Sequence, residues 1–337
     1  MNDHRPEPEL PPARGPVSAA VVAALRGTGP LPRVEECAAA DPYGDDLQLA
    51  LYLCYELHYR GFADVSPDHE WDPGLLRVRA ALEGVFLSAL RADTPGHDSL
   101  DDALGALLVE PVQGTGVTHY LCEEGERWQL REYAAQRSLY HLKEADPHAW
   151  VLPRLWGRAK AAMAAVEFDE FGGGRAERVH ARLFADLMTD LGLDTAYGRY
   201  LDAAPAEMLA TVNLMSLLGL HRALRGALVG HFASVEITSS PGSRRLAEAM
   251  RRTGAGRAAE FFYDEHVEAD AVHEQVVRHE VIGGLLDEEP RLAADIAFGI
   301  DATEYLEDRL SWRLLGRWRD GTSSLRAPLE RETTHIT

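Results

Sequence analysis

The chain has 337 residues, enough for one large or two ordinary domains with ample material for a buried core. Its 54 acidic residues against 34 basic ones give a formal net charge of -20, which argues against nucleic acid and against an anionic membrane surface as partners. The three cysteines, Cys37, Cys54 and Cys122, lie far apart without a C-x-x-C pair, so neither a disulfide framework nor a zinc or iron-sulfur site is indicated.

The N-terminal stretch MNDHRPEPELPPARGP is rich in proline and charge and lacks an apolar h-region, so residues 1–16 read as a flexible arm and not as a signal peptide. No run of about 18 apolar residues is present, so no membrane span is expected, and the reading is of a reduced, cytoplasmic protein. Apolar residues at three- and four-residue spacing predict helices over Ser18 to Leu25, Asp45 to Tyr59, Pro73 to Arg91 and Leu100 to Leu108, separated by Gly/Pro/Asp-rich joints such as DTPGHD. Alternating β-branched runs are absent, and residues 17–125 read as a smaller helical domain of their own. Within it Glu56 and His58 are two apart on a helix and point away from each other, so they cannot chelate one ion together; a half-buried helix at a domain or dimer interface fits better.

From Glu126 the predicted helices lengthen and carry the chemistry. One runs from about Glu126 to Ala145 and places Glu144 in its final turn before the Asp146-Pro147 break. The next, about His148 to Phe171, carries Glu167, Asp169 and Glu170 up to Gly172-Gly173-Gly174, where three glycines stop a helix and allow a sharp reversal. A helix over Ala176 to Leu191 presents His180. Pro205 opens a further one that places Glu236 near its end, with Pro241 beyond. The stretch FFYDEHVEADAVHEQV, Phe261 to Val276, sets His266, Asp270 and His273 at relative positions 0, 4 and 7, within about a 60° arc of one helix. Two imidazoles and a carboxylate on one side suit a non-haem iron that keeps positions open for dioxygen. Pro290 opens a C-terminal helix or pair reaching about Trp318, and residues 321–337 read as a disordered tail. GGG lacks a preceding strand and a following Lys-Ser/Thr, so it is not a phosphate loop.

The order Glu144, Glu170, His180, Glu236, then His266-x-x-x-Asp270-x-x-His273 resembles the haem-oxygenase-like di-iron oxidases and oxygenases. EADPHAWVLPRLWGRAK, EFDEFGGGRAERVHARLF and YDEHVEADAVHE are similar to an actinobacterial branch often described only as an iron-containing redox enzyme family. The resemblance covers roughly Glu126 to Trp318. It implies an all-α fold, a haem-oxygenase-like helical bundle over residues 126–320, preceded by a helical domain that some members use to dimerise. A homodimer is accordingly expected. It also implies two Fe(II)/Fe(III) ions, dioxygen as co-substrate and no haem, since no single histidine stands apart as a proximal ligand.

On that resemblance a first iron would be held by His180 and Glu236 with Glu144, and a second by His266, Asp270 and His273. Glu170 would bind or bridge and serve as the adaptable, catalytic carboxylate. Taken singly, Glu144 could be a surface acid, Glu170 part of an exposed acidic run and His180 a core histidine. Glu177 with His180 and Asp270 with His273 also form the pairs of a ferritin-like di-iron bundle, which Glu236 fits poorly. His221 and His231 read as core groups. The family's chemistry runs through a peroxo-di-iron(III) intermediate, and the resemblance leans toward N-oxygenation of a small amine-, guanidine- or amino-acid-like metabolite. The alternatives are an oxidase that cleaves C-C bonds, desaturates or decarboxylates an aliphatic substrate, or a non-catalytic iron-binding helical protein. The substrate and the electron donor are not readable from these residues.

Overall fold

The computed structural model describes residues 7–109 and 114–329, and of residues 268–271 the helical backbone alone. Among the described residues every regular element is helical. The first five α-helices are α1 (Pro16–Leu25), α2 (Val34–Ala38), α3 (Asp45–Glu56), α4 (Pro73–Asp93) and α5 (Leu100–Leu107). Then come α6 (Val117–Glu123), α7 (Arg127–His141), α8 (Asp146–Ala149), α9 (Gly157–Glu170) and α10 (His180–Asp190). The remainder are α11 (Ala206–Leu220), α12 (Arg225–Thr253), α13 (Arg257–Val276), α14 (Gly283–Glu288) and α15 (Ala293–Arg319). Local chemistry sets the helix ends. Asp72 caps α4 by accepting from the Leu75 N–H at 2.8 Å, with Pro73 in the first turn, and Gly254 closes α12 in the left-handed conformation.

Nearly every residue of α11 is buried, and so is each residue of α3 from Leu47 to Glu56, because these two apolar helices face each other in the centre of the molecule. Asn213 on α11 donates to both the backbone and the side-chain oxygen of Gln48 on α3, each at 2.8 Å. The helices of residues 17–125, expected as a domain of their own, therefore share one continuous core with residues 126–320. Glu56 is the other reason. It is fully buried at the end of α3, paired with Lys143 at 3.0 Å and accepting from Tyr197 at 2.6 Å. His58 turns elsewhere, to Glu70 at 3.2 Å.

Several expected boundaries move. The arm is packed where it is described: the Arg14 side chain is fully buried and reaches Asp45 at 3.0 Å, and the Pro8 carbonyl accepts from Ala63. At the other end Ser324 is buried, donating to Glu132 at 2.8 Å, so the expected disorder does not begin at residue 321; residues 330–337 lie outside the described residues. Helix α7 stops at His141, four residues early, and Glu144 sits in the turn that follows. Pro241 lies inside α12 instead of beyond its end. A proline removes one helical hydrogen bond at a cost of about 3 kcal/mol. Here α12 is packed along its length between α13 and α15, and that burial carries the helix through.

Helices α12 and α15 touch at glycines. A methyl group on Gly230 would lie 1.9 Å from the Ile296 carbonyl oxygen, and one on Gly299 would lie 1.9 Å from that of Ala227. Only hydrogen fits at either place. The buried Glu56–Lys143 pair offers a direct test of how the N-terminal helices are tied in. Lys143→Met should leave an uncompensated buried carboxylate and cost about 3–5 kcal/mol in chemical unfolding of the metal-free protein. An unchanged unfolding midpoint would mean that the pair contributes nothing.

Candidate metal centre

Glu170 is the last residue of α9 and His180 the first of α10, and the reversal between them depends on glycine. Gly172, Gly173 and Gly174 all take left-handed backbone angles, with φ of 74°, 60° and 80°. A side chain at Gly172 would also strike the Arg178 and Val179 backbone at 2.7 Å. The tight turn brings Glu170 Oε2 to 3.0 Å from His180 Nδ1.

Around that contact the side chains form two adjoining groups. In the first, Glu144 Oε2 lies 2.5 Å from His180 Nε2 and 2.7 Å from His141 Nδ1, and the two imidazole nitrogens are 3.0 Å apart. In the second, His273 Nδ1 lies 3.1 Å from Glu236 Oε2 and 3.8 Å from Glu170 Oε1. Each triplet offers three donor atoms within 4.8 Å of one another. His266 joins them, its Nε2 2.9 Å from His180 Nδ1. Its other nitrogen is 2.5 Å from the Phe262 carbonyl, which can only accept, so Nδ1 donates there and Nε2 is the nitrogen that faces the cluster. Phe184 and Phe262 wall the histidines, with ring centres 4.5 Å from His141 and 4.9 Å from His180.

Of the residues expected from the sequence, Glu144, Glu170, His180, Glu236, His266 and His273 thus converge on one place. The Asp270 side chain lies outside the described residues. The expected grouping differs in two respects: Glu236 stands with Glu170 and His273, not with Glu144 and His180, and His266, expected with Asp270 and His273, lies against His180 of the first group. Glu177, the ferritin-like alternative to Glu170, is exposed on a short 3-10 turn before α10. Two members went unrecognised. His141 is three residues before Glu144, and H-x-x-E at the end of a helix was the available signal. Glu167, one turn before Glu170 in the run EFDE, is 2% exposed, and neither carboxylate oxygen has a hydrogen-bond partner among the described residues.

The charges in this space are strongly coupled. Burial alone would raise the Glu144 carboxyl, but His180 and His141 outweigh it and hold it well below the usual carboxylate range. Burial would likewise lower His180, yet Glu144 and Glu170 overcome this and push its imidazole up to about 10. Burial does lower His141, to about 4. Among the described residues Glu167 has no ion-pair or hydrogen-bond partner. Burial, reinforced by Glu170 and Glu236, pushes its carboxyl up to about 9.

A metal fits these residues on two grounds. The orphaned oxygens of Glu167 and the proton shared by His180 mark positive charge that the cluster demands and the polypeptide supplies only by protonation. Donor atoms at about 2.1 Å from an octahedral divalent ion stand about 3 Å from their neighbours. The observed 2.5 to 3.1 Å separations between most adjacent donors are close to that.

The model of a family described as iron-containing redox enzyme matches residues 131–308. The chain belongs to that family. Its all-α architecture is the haem-oxygenase-like bundle, and the family is described as one of iron-containing redox enzymes. A nitrosourea synthase of Streptomyces achromogenes subsp. streptozoticus is 26% identical over 223 residues, covering 63% of this chain and 46% of that one. The chain thus spans about half the length of the curated relative it matches. Among the described residues no helix is long and apolar enough to cross a membrane.

Glu167 yields a pH test. With its folded pKa near 9 and an ordinary value of 4.5, the native metal-free protein holds a proton between those pH values that the unfolded chain has released. Native stability from this group is therefore lost as pH rises through that window. Urea midpoints of metal-free protein at pH 5 and pH 8 should fall more steeply in the wild type than in Glu167→Gln. Equal slopes would show that this carboxyl ionises normally.

Proposed function

We propose that this protein is a dioxygen-activating di-iron oxygenase acting on a small amine-, guanidine- or amino-acid-like metabolite by N-oxygenation. The observation that carries the reading is the pair of adjoining donor triplets, His141–Glu144–His180 and Glu170–Glu236–His273, in contact through Glu170 and His180. Six such donors would fill one octahedral ion and leave no position open, and with His266 beside His180 they exceed it, so the set suits two neighbouring ions. The relative named a nitrosourea synthase supports chemistry at nitrogen.

His141, Glu144, His180 and His266 would hold one iron, and Glu170, Glu236 and His273 with Asp270 the other. Two ferrous ions, when bound, supply the electrons and open coordination positions that dioxygen activation needs. One oxygen atom would pass to the substrate nitrogen and the other would leave as water, with the further electrons coming from a separate donor protein or reductant.

The polypeptide's own part is to position and to exchange protons. Tyr140 donates its hydroxyl to Glu144, fixing that carboxylate's rotation from the side away from the histidines. His180 must release the proton it shares with Glu144 and Glu170 before its nitrogen can bind a metal, so loading the site releases protons. Glu170 stands between the triplets at the start of the glycine reversal, where its backbone can follow a change in coordination that a mid-helix glutamate could not.

Protein reconstituted anaerobically with ferrous iron should bind close to two irons per chain. His180→Ala and Glu236→Ala should each lose one or more, while Glu170→Ala should keep most of its iron and lose most product. With labelled dioxygen and a reductant, an accepted amine should gain one labelled oxygen. Full iron occupancy in both His180→Ala and Glu236→Ala would refute the ligand assignment.

A further inference from the structure

Helix α7 stops at His141 where its pattern predicts a run to Ala145, and the hydrogen bonds of the carbonyls that follow account for the difference. In a continuing helix the Lys143 carbonyl would accept from residue 147, but that residue is Pro147, which has no N–H. The Asp146 N–H serves the Lys143 carbonyl instead, at 2.9 Å, in the tighter three-residue pattern. That N–H is the one a helix would have given to the Leu142 carbonyl. Arg60 fills the gap, its Nη2 donating to the Leu142 carbonyl at 2.9 Å.

Arg60 belongs to the segment just after α3, and the end of α3 grips the next residue of the same turn. Lys143 Nζ meets Glu56 at 3.0 Å and lies 4.5 Å from the ring centre of Tyr59 and 4.9 Å from that of Tyr52. The gripping groups also hold one another. Tyr197 donates its hydroxyl to Glu56 at 2.6 Å, and the Arg60 guanidinium lies over the Tyr197 ring, 4.1 Å from its centre. Glu56, Lys143, Leu142, Arg60 and Tyr197 thus form a closed ring of contacts around two consecutive residues of the turn.

The residue after Lys143 is Glu144. The other donors described above, His141, Glu170, His180, Glu236, His266 and His273, lie on helices, whereas Glu144 lies on the turn. Its carboxylate nevertheless stands 2.5 Å from His180 Nε2 and 2.7 Å from His141 Nδ1. A donor placed that closely from outside a helix depends on whatever fixes its backbone.

We propose that Arg60 is a positioning residue for Glu144. By satisfying the Leu142 carbonyl beside the Glu56–Lys143 pair, it holds the turn so that Glu144 reaches His141 and His180, and it thereby sets the strength of the first metal position. The consequence for metal rests on the two-iron reading above; the consequence for the turn does not.

Arg60 is exposed, so Arg60→Met, which keeps an unbranched stem beside Tyr197, should fold. In the metal-free protein this variant should exchange its amide hydrogens over residues 141–146 about tenfold or more faster, the loss of one hydrogen bond from a charged group. Anaerobic calorimetric titration with ferrous iron should show one of two binding steps weakened by about tenfold or more and the other unchanged. Asp72→Ala removes the cap of α4 and none of these contacts; as the control for mere loss of stability it should alter neither reading. The proposal is overturned if exchange over residues 141–146 is unchanged in Arg60→Met, if both binding steps weaken alike, or if Asp72→Ala weakens the same step. Should the wild type fail to bind two irons, the two-iron reading falls, and the exchange measurement still decides whether Arg60 holds the turn.

Discussion

Several carboxylates brought together away from water need positive charge beside them, and that requirement governs this molecule. Glu144, Glu167, Glu170 and Glu236 meet within the bundle, and the polypeptide alone answers them in two ways. His180 keeps its proton far above the ordinary histidine range, shared between Glu144 and Glu170. Glu167 keeps its own proton and stays neutral. Both answers are substitutes that a pair of divalent ions would displace, because coordinated histidine and carboxylate must be unprotonated at the donor atom. A site built for stability alone would have replaced these groups with apolar ones of similar volume.

The scaffold is arranged to hold that unfavourable convergence. Helix α12 runs between α13 and α15 and carries Glu236 near mid-length, with Pro241 a little over one turn beyond. Gly230 and Gly299 let α12 and α15 approach to backbone contact, and further along the same two helices border a cavity of about 530 Å³. The turn bearing Glu144 is anchored through its neighbour Lys143, whose ion pair with Glu56 is completely buried in α3. The N-terminal helices thus reach the metal centre through one covalent step, which is why they share its core.

The parts legible in the sequence were those with a local signature. Helical periodicity identified most of the helices, and three consecutive glycines tied Glu170 to His180. Spacing of 0, 4 and 7 placed His266 and His273 on one face. What stayed hidden depended on distances between helices. His141 drew no notice in a helix expected to run on to Ala145; it joins the cluster because α7 ends at His141 and the following turn brings Glu144 back beside it. Glu167 was indistinguishable from Asp169 within an acidic run, though one is buried and the other largely exposed. The association of Glu236 with His273 was unreadable because it depends on the rotation of α12 against α13. Pro241 misled for a related reason: propensity describes an isolated helix, and α12 is clamped on both sides.

The two donor triplets are not equivalent, and the difference bears on which ion would do which work. His141, Glu144 and His180 carry one carboxylate and two imidazoles, while Glu170, Glu236 and His273 carry two carboxylates and one imidazole. From the described side chains alone, a divalent ion would retain a net positive charge in the first triplet and be neutralised in the second. Asp270, if it joins the second, widens the gap. The more electron-rich set favours the higher oxidation state and would give up an electron more readily. The more electropositive set is also the one whose His141 lines a cavity of about 530 Å³ bordered by α7, α12, α13 and α15, so a molecule entering there would meet this set through His141.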